Sequence, residues 1–175
     1  MYSWGRASDG QLGLGGIQET IVSSPRWNKH VVEKSIRHVA CSLKHTLLLT
    51  DGGIVHSCGS NEKGQLGQDE TSTRPGKLGN AASETWMLIS SLSLSSTCFQ
   101  YPLCIQLFHN LSHNHCSILA PVISLESRKI SQVCCGNVHS IAVDCHGQLL
   151  SWGGNQYGQL GYGGREGMEV NFIPK

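Results

Sequence analysis

The feature that most constrains the fold of this 175-residue chain is a four-residue string that occurs three times. Gly-Gln-Leu-Gly stands at residues 10–13, 64–67 and 158–161. Each copy begins five residues after another glycine, and that glycine follows a tryptophan or a cysteine, in Trp4-Gly5, Cys58-Gly59 and Trp152-Gly153. Glycines at fixed offsets indicate backbone positions that need a positive φ or a close approach of another segment. The chain is therefore built from repeats, and the repeat unit indicates its architecture.

The repeat extends upstream of the glycines, because residues 39–67 align without a gap with residues 133–161 at a constant offset of 94. Between the glycines lie short runs rich in Val, Ile, Leu and Thr, which are typical of strands. Asp51-Gly52 and His146-Gly147 mark tight turns between them. Units of about 50 residues made of short strands with periodic Gly and Trp are typical of propeller blades. We therefore predict an all-β fold, a partial β-propeller of about three blades of four-stranded antiparallel sheet, interrupted by an irregular insert.

The residues of this pattern resemble the regulator-of-chromosome-condensation (RCC) repeat family. The most complete unit has Cys135-Gly136, His139-Ser140 and Gly147, followed by a stretch from Trp152-Gly153 through Asn155 to the Gly-Gln-Leu-Gly of 158–161. The second unit departs once, with Ser42 where glycine is usual. The first residues, with Trp4-Gly5 and the glycine-rich run at 10–16, are most similar to the small E3 ubiquitin ligases that join a HECT domain to such a propeller. The resemblance covers about 1–79 and 126–175.

The spacing of the repeat breaks once. The first two Gly-Gln-Leu-Gly copies are 54 residues apart and the last two are 94 apart, and no glycine lies between Asn80 and Cys135. We predict RCC-type repeats over 1–79 (the distal half of one blade plus one unit), an aberrant Ser/Leu/Cys/His-rich insert over 80–125, and a further RCC-type repeat over 126–175. The abrupt change of composition favours a retained intron or a gene-model error as the origin of the insert.

Three alternatives remain open for the insert. The first is a functional inserted loop, since loops carry many binding sites. The second is a zinc site, although the usual ligand spacing is missing; its candidate ligands are Cys98, Cys104, His109, His113, His115 and Cys116. The third is a transmembrane helix over 86–108, which has the length but also polar residues and Pro102.

No residue of the chain is assigned a catalytic, cofactor-binding or metal-binding role. Gly5-x4-Gly10 and 153–158 share the first half of a P-loop, but Gln-Leu follows where Lys-Ser/Thr is required, so we expect blade turns with an inward leucine. Cys41-x3-His45 recurs as Cys135-x3-His139, which favours a structural histidine that hydrogen-bonds backbone near its turn. Trp4, Trp152 and Tyr157 are candidates for a recognition patch, but their repeat positions favour core or inter-blade packing, which we expect.

The resemblance implies a protein-interaction propeller fragment that recruits a substrate or partner for a HECT-type E3 ubiquitin ligase. The chain lacks a HECT domain, so we do not expect it to be an enzyme or to hold a cofactor. Its partner would be a protein or a ubiquitination substrate. The alternatives are a guanine-nucleotide exchange factor for a small GTPase and a truncated isoform without independent activity. The formal net charge of +1 argues against nucleic-acid binding. Without a visible signal peptide we expect the cytoplasm, with the nucleus as alternative, and no membrane partner.

Overall fold

The computed structural model describes residues 1–68, 115–163, 170–171 and 173–175. In this part of the chain the regular elements are strands and two short 3-10 helices, which confirms the all-β prediction. The strands are β1 Tyr2–Arg6, β2 Ile21–Trp27, β3 Ile36–Cys41, β4 His45–Thr50, β5 Val55–Ser60, β6 His115–Pro121, β7 Ile130–Cys135, β8 His139–Asp144, β9 Leu149–Gly154 and β10 Val170–Asn171. The 3-10 helices are η1 Lys29–Val31 and η2 Ile123–Leu125.

The strands form three antiparallel sheets, which we name blades. Blade 1 is the pair β1–β2, blade 2 has the order β3-β4-β5-β6, and blade 3 has the order β7-β8-β9-β10. In blade 2, Thr46 lies opposite Cys41 on one side and Cys58 on the other. Ser140 of blade 3 lies opposite Cys135 and Trp152 in the same register. The four-stranded antiparallel blade is thus confirmed, and the described residues form a partial propeller.

The offset of 94 residues holds for every strand from β2 to β5. Strand β2 begins at Ile21 and β6 at His115, just as β3 begins at Ile36 and β7 at Ile130. The connection from β1 to β2 has 14 residues, whereas the connection from β5 to β6 has 54. The 40 extra residues therefore lie in a single connection between the third and fourth strands of blade 2.

The predicted insert over 80–125 differs from the structure at its C-terminal end. His115–Pro121 is the fourth strand of blade 2, with Cys116 opposite Gly59 and Ala120 opposite Ser57. This strand has the same glycine-free, uncharged composition as the preceding segment, so composition alone does not separate the two. Pairing with β5 decides that 115–121 belongs to the blade. The rest of the domain division, and the origin of the insert, stay predictions, because 69–114 lies outside the described residues.

The hydrophobic core lies between the blades, because both faces of the middle strands of blade 2 are covered. Leu47 and Leu49 of β4 point to one face and Leu48 to the other, as alternation in a strand requires. The first face packs against blade 3 in a cluster that also contains Val122 and Leu125. Leu48 packs on the opposite face with Val31, Cys58 and Leu119. The continuous apolar run Leu47-Leu48-Leu49 is therefore typical of a strand buried on both faces.

Two deletions of equal length test which residues between β5 and the end of β6 are needed for the stability of blade 2. Removal of residues 71–110 leaves a β5–β6 connection as long as the β1–β2 connection, and we expect it to leave the melting temperature unchanged or higher. Removal of residues 81–120 takes away nearly all of β6 and leaves β5 with an unpaired edge, so we expect loss of cooperative unfolding. Circular dichroism melting of both proteins checks this. Equal melting curves for the two deletions would contradict the assignment of β6 to blade 2.

Candidate functional site: the turns and joints of the blades

Each Gly-Gln-Leu-Gly string forms a tight turn that only glycine fits. The N–H of its last glycine donates to the carbonyl of its first glycine at 3.0 Å in all three copies. Both glycines of every copy have φ between +63° and +77°, a left-handed conformation that costs an L-residue about 1–2 kcal/mol. The repeated glycines are therefore explained by local backbone geometry.

Side chains of the repeat hold these turns from inside. The Oε1 atom of Gln65 accepts a hydrogen bond from the backbone N–H of Lys63 at 2.8 Å, and Gln159 does the same for Tyr157. Asn61 Oδ1 accepts from the N–H of Leu66 at 3.0 Å. Leu66 and Leu160 are buried, as the sequence predicts for a blade turn. The turn amides of these leucines are occupied within the protein, in contrast to the phosphate-facing amides of a P-loop.

The carbonyl of each turn glutamine joins one blade to the next. Gln65 O accepts hydrogen bonds from Ser140 Oγ at 2.7 Å and from Trp152 Nε1 at 3.0 Å. At the preceding joint, Gln11 O accepts from the residues in the equivalent positions, Thr46 Oγ1 at 2.8 Å and Cys58 Sγ at 3.4 Å. Blades 1 and 2 are therefore joined in the same way as blades 2 and 3.

His45 crosses the joint between blades 2 and 3. Its side chain is fully buried, with Nδ1 2.7 Å from Ser42 Oγ and Nε2 3.0 Å from Ser140 Oγ. Because the Ser140 hydroxyl donates its proton to Gln65 O, His45 Nε2–H is the donor to Ser140. Burial, and secondarily the charge of His139, lowers the pKa of His45 to about 4. The imidazole is thus held neutral at physiological pH.

The structure differs from the expected role of this histidine. The sequence predicts a hydrogen bond to backbone near the turn, but the ring contacts two hydroxyl groups, one of them on the next blade. Ser42, the departure from the usual glycine, supplies one of them. Its counterpart in blade 3 is Gly136, where an added Cβ would collide with the His139 ring. His45 therefore hydrogen-bonds the side chain of Ser42, whereas the His139 ring packs directly against Gly136.

The other candidate residues are distributed between core and surface. Trp152 is buried in the joint as expected, whereas Trp4 is 59% and Tyr157 90% exposed. Cys135 Sγ donates to Ala40 O at 3.3 Å, and burial raises the pKa of its thiol to about 12, so it stays protonated at neutral pH. Cys134, the adjacent residue, is exposed, in agreement with opposite faces for neighbouring strand residues.

The other hypotheses for the insert fall largely outside the described residues. Of the six candidate zinc ligands the structure describes only His115 and Cys116, which lie in β6. In the described ranges, no group of three or more His, Cys, Asp or Glu side chains could hold a metal ion. The same ranges contain no helix with the length and apolarity needed to cross a membrane, while the candidate span over 86–108 is not among them.

One exposed surface carries different side chains in each blade, although the turn that supports it is the same. The two positions before each Gly-Gln-Leu-Gly string are exposed or half-exposed, and they carry Ser8-Asp9, Glu62-Lys63 and Gln156-Tyr157. We call these six residues the turn face; because the joints repeat, all three pairs lie at the same end of their blades. Glu62 forms an ion pair with Lys44 at 3.5 Å. Variable exposed residues on a rigid frame are typical of a binding surface. The sequence signal for this surface is the variable pair of residues inside a fixed motif.

Four-stranded antiparallel blades that repeat their packing contacts define this chain as part of a β-propeller of repeated blades. Its sequence matches the Regulator of chromosome condensation (RCC1) repeat over residues 1–49 and 146–175. A second form of the same repeat matches residues 36–65 and 130–159. The chain belongs to the RCC1 repeat family.

Similar proteins cover nearly the whole chain. It is 37% identical over 172 residues to the probable E3 ubiquitin-protein ligase HERC4 of Rattus norvegicus, a match that covers 93% of this chain and 16% of the ligase. It is 30% identical over 161 residues to the X-linked retinitis pigmentosa GTPase regulator of Canis lupus familiaris, covering 92% and 12%. The chain thus spans less than a fifth of either relative.

The fold is also found in a solved structure. Prp20p from Saccharomyces cerevisiae superposes with a TM-score of 0.68 and 20% identity, over 99% of this chain and 33% of that protein. At this identity the comparison supports the propeller fold alone.

A fall in pH is expected to lower the free energy of unfolding through protonation of His45 at the joint between blades 2 and 3. The folded-state pKa of about 4 lies below the ordinary 6.5, so the unfolded chain binds the proton first as the pH falls. The contribution of His45 to the free energy of unfolding is complete above pH 6.5 and is lost between pH 6.5 and pH 4. At pH 5 the free energy of unfolding is expected to be lower by about 2 kcal/mol. Urea unfolding at pH 7 and 5 measures this, and His45→Gln should show a pH dependence smaller by that amount. An unchanged pH dependence in the variant would refute the role of His45.

The two turns of blades 2 and 3 offer a matched pair of glycine substitutions. Both Gly67 and Gly161 have positive φ, but an added Cβ at Gly67 would lie 2.8 Å from Trp152 Nε1, whereas nothing lies within 4 Å at Gly161. We expect Gly161→Ala to cost about 1 kcal/mol of unfolding free energy from backbone strain alone. Gly67→Ala should cost about 1–3 kcal/mol more, because the joint is overpacked. Chemical unfolding of both variants checks the difference.

Proposed function

We propose that this chain is a protein-interaction segment of a propeller that recruits a substrate or partner for a HECT-type E3 ubiquitin ligase. The turn face carries the proposal, because it is the surface where the repeat keeps its frame and changes its side chains. The similarity to a probable E3 ligase over 93% of the chain supports the connection with ubiquitin transfer. The match covers 16% of that ligase, so the catalytic step belongs to other parts of such a protein.

Tyr157 is the strongest contact residue of the turn face. It is 90% exposed, while its backbone N–H is fixed by the Oε1 atom of Gln159 at 2.8 Å. A large aromatic side chain on a rigid backbone buries much area at low entropic cost, which is why tyrosine is enriched at energetic centres of interfaces. The neighbouring blade supplies Glu62 and Lys63, so a partner would meet an aromatic group beside both signs of charge.

A second function is favoured by one comparison. The similarity to a GTPase regulator supports the alternative that the chain belongs to an exchange factor for a small GTPase. The structurally similar Prp20p binds Gsp1p and histones. Under either proposal the partner is a protein. The nearly balanced charge of the chain supports a protein partner over a nucleic acid.

For the compartment we propose the cytoplasm, with the nucleus as the alternative. Fractionation of cells that express the tagged chain tests it.

Replacement of Tyr157 by alanine is expected to weaken partner binding at least tenfold, about 1.4 kcal/mol or more, and to leave the melting temperature unchanged. Leu149→Ala is the matched control, because this exposed apolar residue lies at the opposite end of β9.

A photo-activated cross-linker placed at position 157 or at position 149 identifies the partner in cells. Equal cross-linking from both positions would contradict the turn face as the binding surface.

The cross-linked partner separates the two proposed functions. For the ligase proposal, ubiquitin conjugation of the partner should fall when residues 1–175 alone are overexpressed, because this segment competes with the complete ligase for the partner. For the exchange-factor alternative, the partner should be a small GTPase whose nucleotide release is accelerated by the purified protein. A partner with neither response would contradict both.

A further inference from the structure

An open cavity of about 330 Å³ lies at the end of blade 2 opposite to the turn face. The β4–β5 hairpin lines it with Thr50, Gly52 and His56, and Lys34 and Glu126 lie at its edge. His56 is only 6% exposed, and its Nδ1 atom has no hydrogen-bond partner among the described residues. A buried polar atom without a partner costs about 1–3 kcal/mol. The cavity is therefore a place where a polar ligand would satisfy an otherwise unpaired group.

In blade 3 the region equivalent to this cavity contains a carboxylate of the chain. At the offset of 94 residues, the counterpart of Lys34 is Arg128 and that of Thr50 is Asp144. Arg128 Nη1 donates to Asp144 Oδ2 at 3.1 Å and to Gln148 Oε1 at 2.7 Å. The other carboxylate oxygen of Asp144 accepts from the backbone N–H groups of His146 and Gln148, both at 2.9 Å. In blade 3 a carboxylate of the chain itself thus receives all of these donors.

Blade 2 has lost the carboxylate, and two of the three donors that meet it in blade 3 have counterparts here in Lys34 and the Gly52 amide. Thr50 and Ile54 replace the two acceptors of blade 3. Thr50 Oγ1 donates to the Ile54 carbonyl and accepts from the Ile54 N–H, so the counterpart of the Gln148 amide is already occupied. In the part of the chain that the structure describes, the ammonium group of Lys34 has no carboxylate partner. Gly52 stands where His146 donates its amide in blade 3. The missing element is a negatively charged acceptor of the size of one carboxylate.

We propose that this cavity binds a carboxylate group from outside the chain, beside Thr50, in the space lined by Lys34, Gly52 and His56. Lys34 supplies the charge, and the Gly52 amide and the His56 ring N–H supply hydrogen bonds. The carboxylate belongs either to a small organic acid or to an Asp or Glu side chain of a partner. Glu33 and Glu126 at the rim are exposed, so salt screens their repulsion of a bound carboxylate.

The protonation of His56 agrees with this site. Burial, and secondarily the charge of Lys34, lowers the pKa of His56 to about 4, so the ring is neutral and has one N–H to donate. A bound carboxylate opposes the effect of the Lys34 charge and favours the protonated ring, so it is expected to raise the pKa of His56 by about 1.

NMR titration of the whole chain with three probes tests the proposal. The probes are succinate, the capped peptide Gly-Asp-Gly and the capped peptide Gly-Asn-Gly. Succinate and the Asp peptide are expected to shift the His56 ring signals and to raise its pKa, whereas the Asn peptide should do neither. Tighter binding of the Asp peptide than of succinate by tenfold or more assigns the site to a protein side chain; the reverse order assigns it to a small acid. Equal shifts from the Asp and Asn peptides, or no shift from either acid, would overturn the proposal.

Two variants taken from blade 3 complete the test without a loss of fold. Thr50→Asp places a carboxylate of the chain beside Lys34 and is expected to reduce succinate or Asp-peptide binding at least tenfold while keeping or raising the melting temperature. His56→Leu introduces the residue of blade 3, Leu150, and should weaken binding severalfold without unfolding the blade. Binding by the folded Thr50→Asp variant equal to that of the unchanged protein would contradict the site.

Discussion

The backbone carbonyl of the turn glutamine is the acceptor on which each joint between blades depends. At the joint of blades 2 and 3 it receives a hydroxyl and an indole donor, and at the preceding joint a hydroxyl and a thiol. One such bond contributes only about 0.5–1.5 kcal/mol, but a buried donor left without its acceptor costs about 1–3 kcal/mol. The left-handed glycines place this carbonyl at the blade edge. Turn, strand and joint residues therefore recur together in each unit.

His45 adds a second connection across the same joint. Its ring joins Ser42 of its own blade to Ser140 of the next, and Ser140 in turn donates to Gln65 O. The ring and the two hydroxyls form a chain in which each hydroxyl proton and ring nitrogen has a partner; His45 and Ser140 are buried and Ser42 is half-buried. This arrangement explains why a titratable residue can lie in an apolar joint, since the ring is neutral and fully hydrogen-bonded.

The two ends of blade 2 illustrate how one repeat supports different binding surfaces. At the turn face the frame is fully occupied by internal hydrogen bonds, and the exposed pair varies freely. At the opposite end, Thr50 stands where blade 3 has Asp144, so the carboxylate is missing and Lys34 and Gly52 line a cavity. Small changes at equivalent positions thus alter what a blade presents without altering how it folds.

By itself, the sequence determines the repeat, the strands and the turn glycines, because each depends on backbone preferences within a few residues. The spacing of 94 residues also indicates which positions are equivalent. Tertiary structure decides the end of the insert, since only pairing with β5 distinguishes β6 from the segment before it. It also decides that Trp152 is buried while Trp4 is exposed, and that His45 meets Ser140 across 95 residues of chain. Contacts of that sequence separation arise from how blades pack on each other, and local sequence patterns do not specify them.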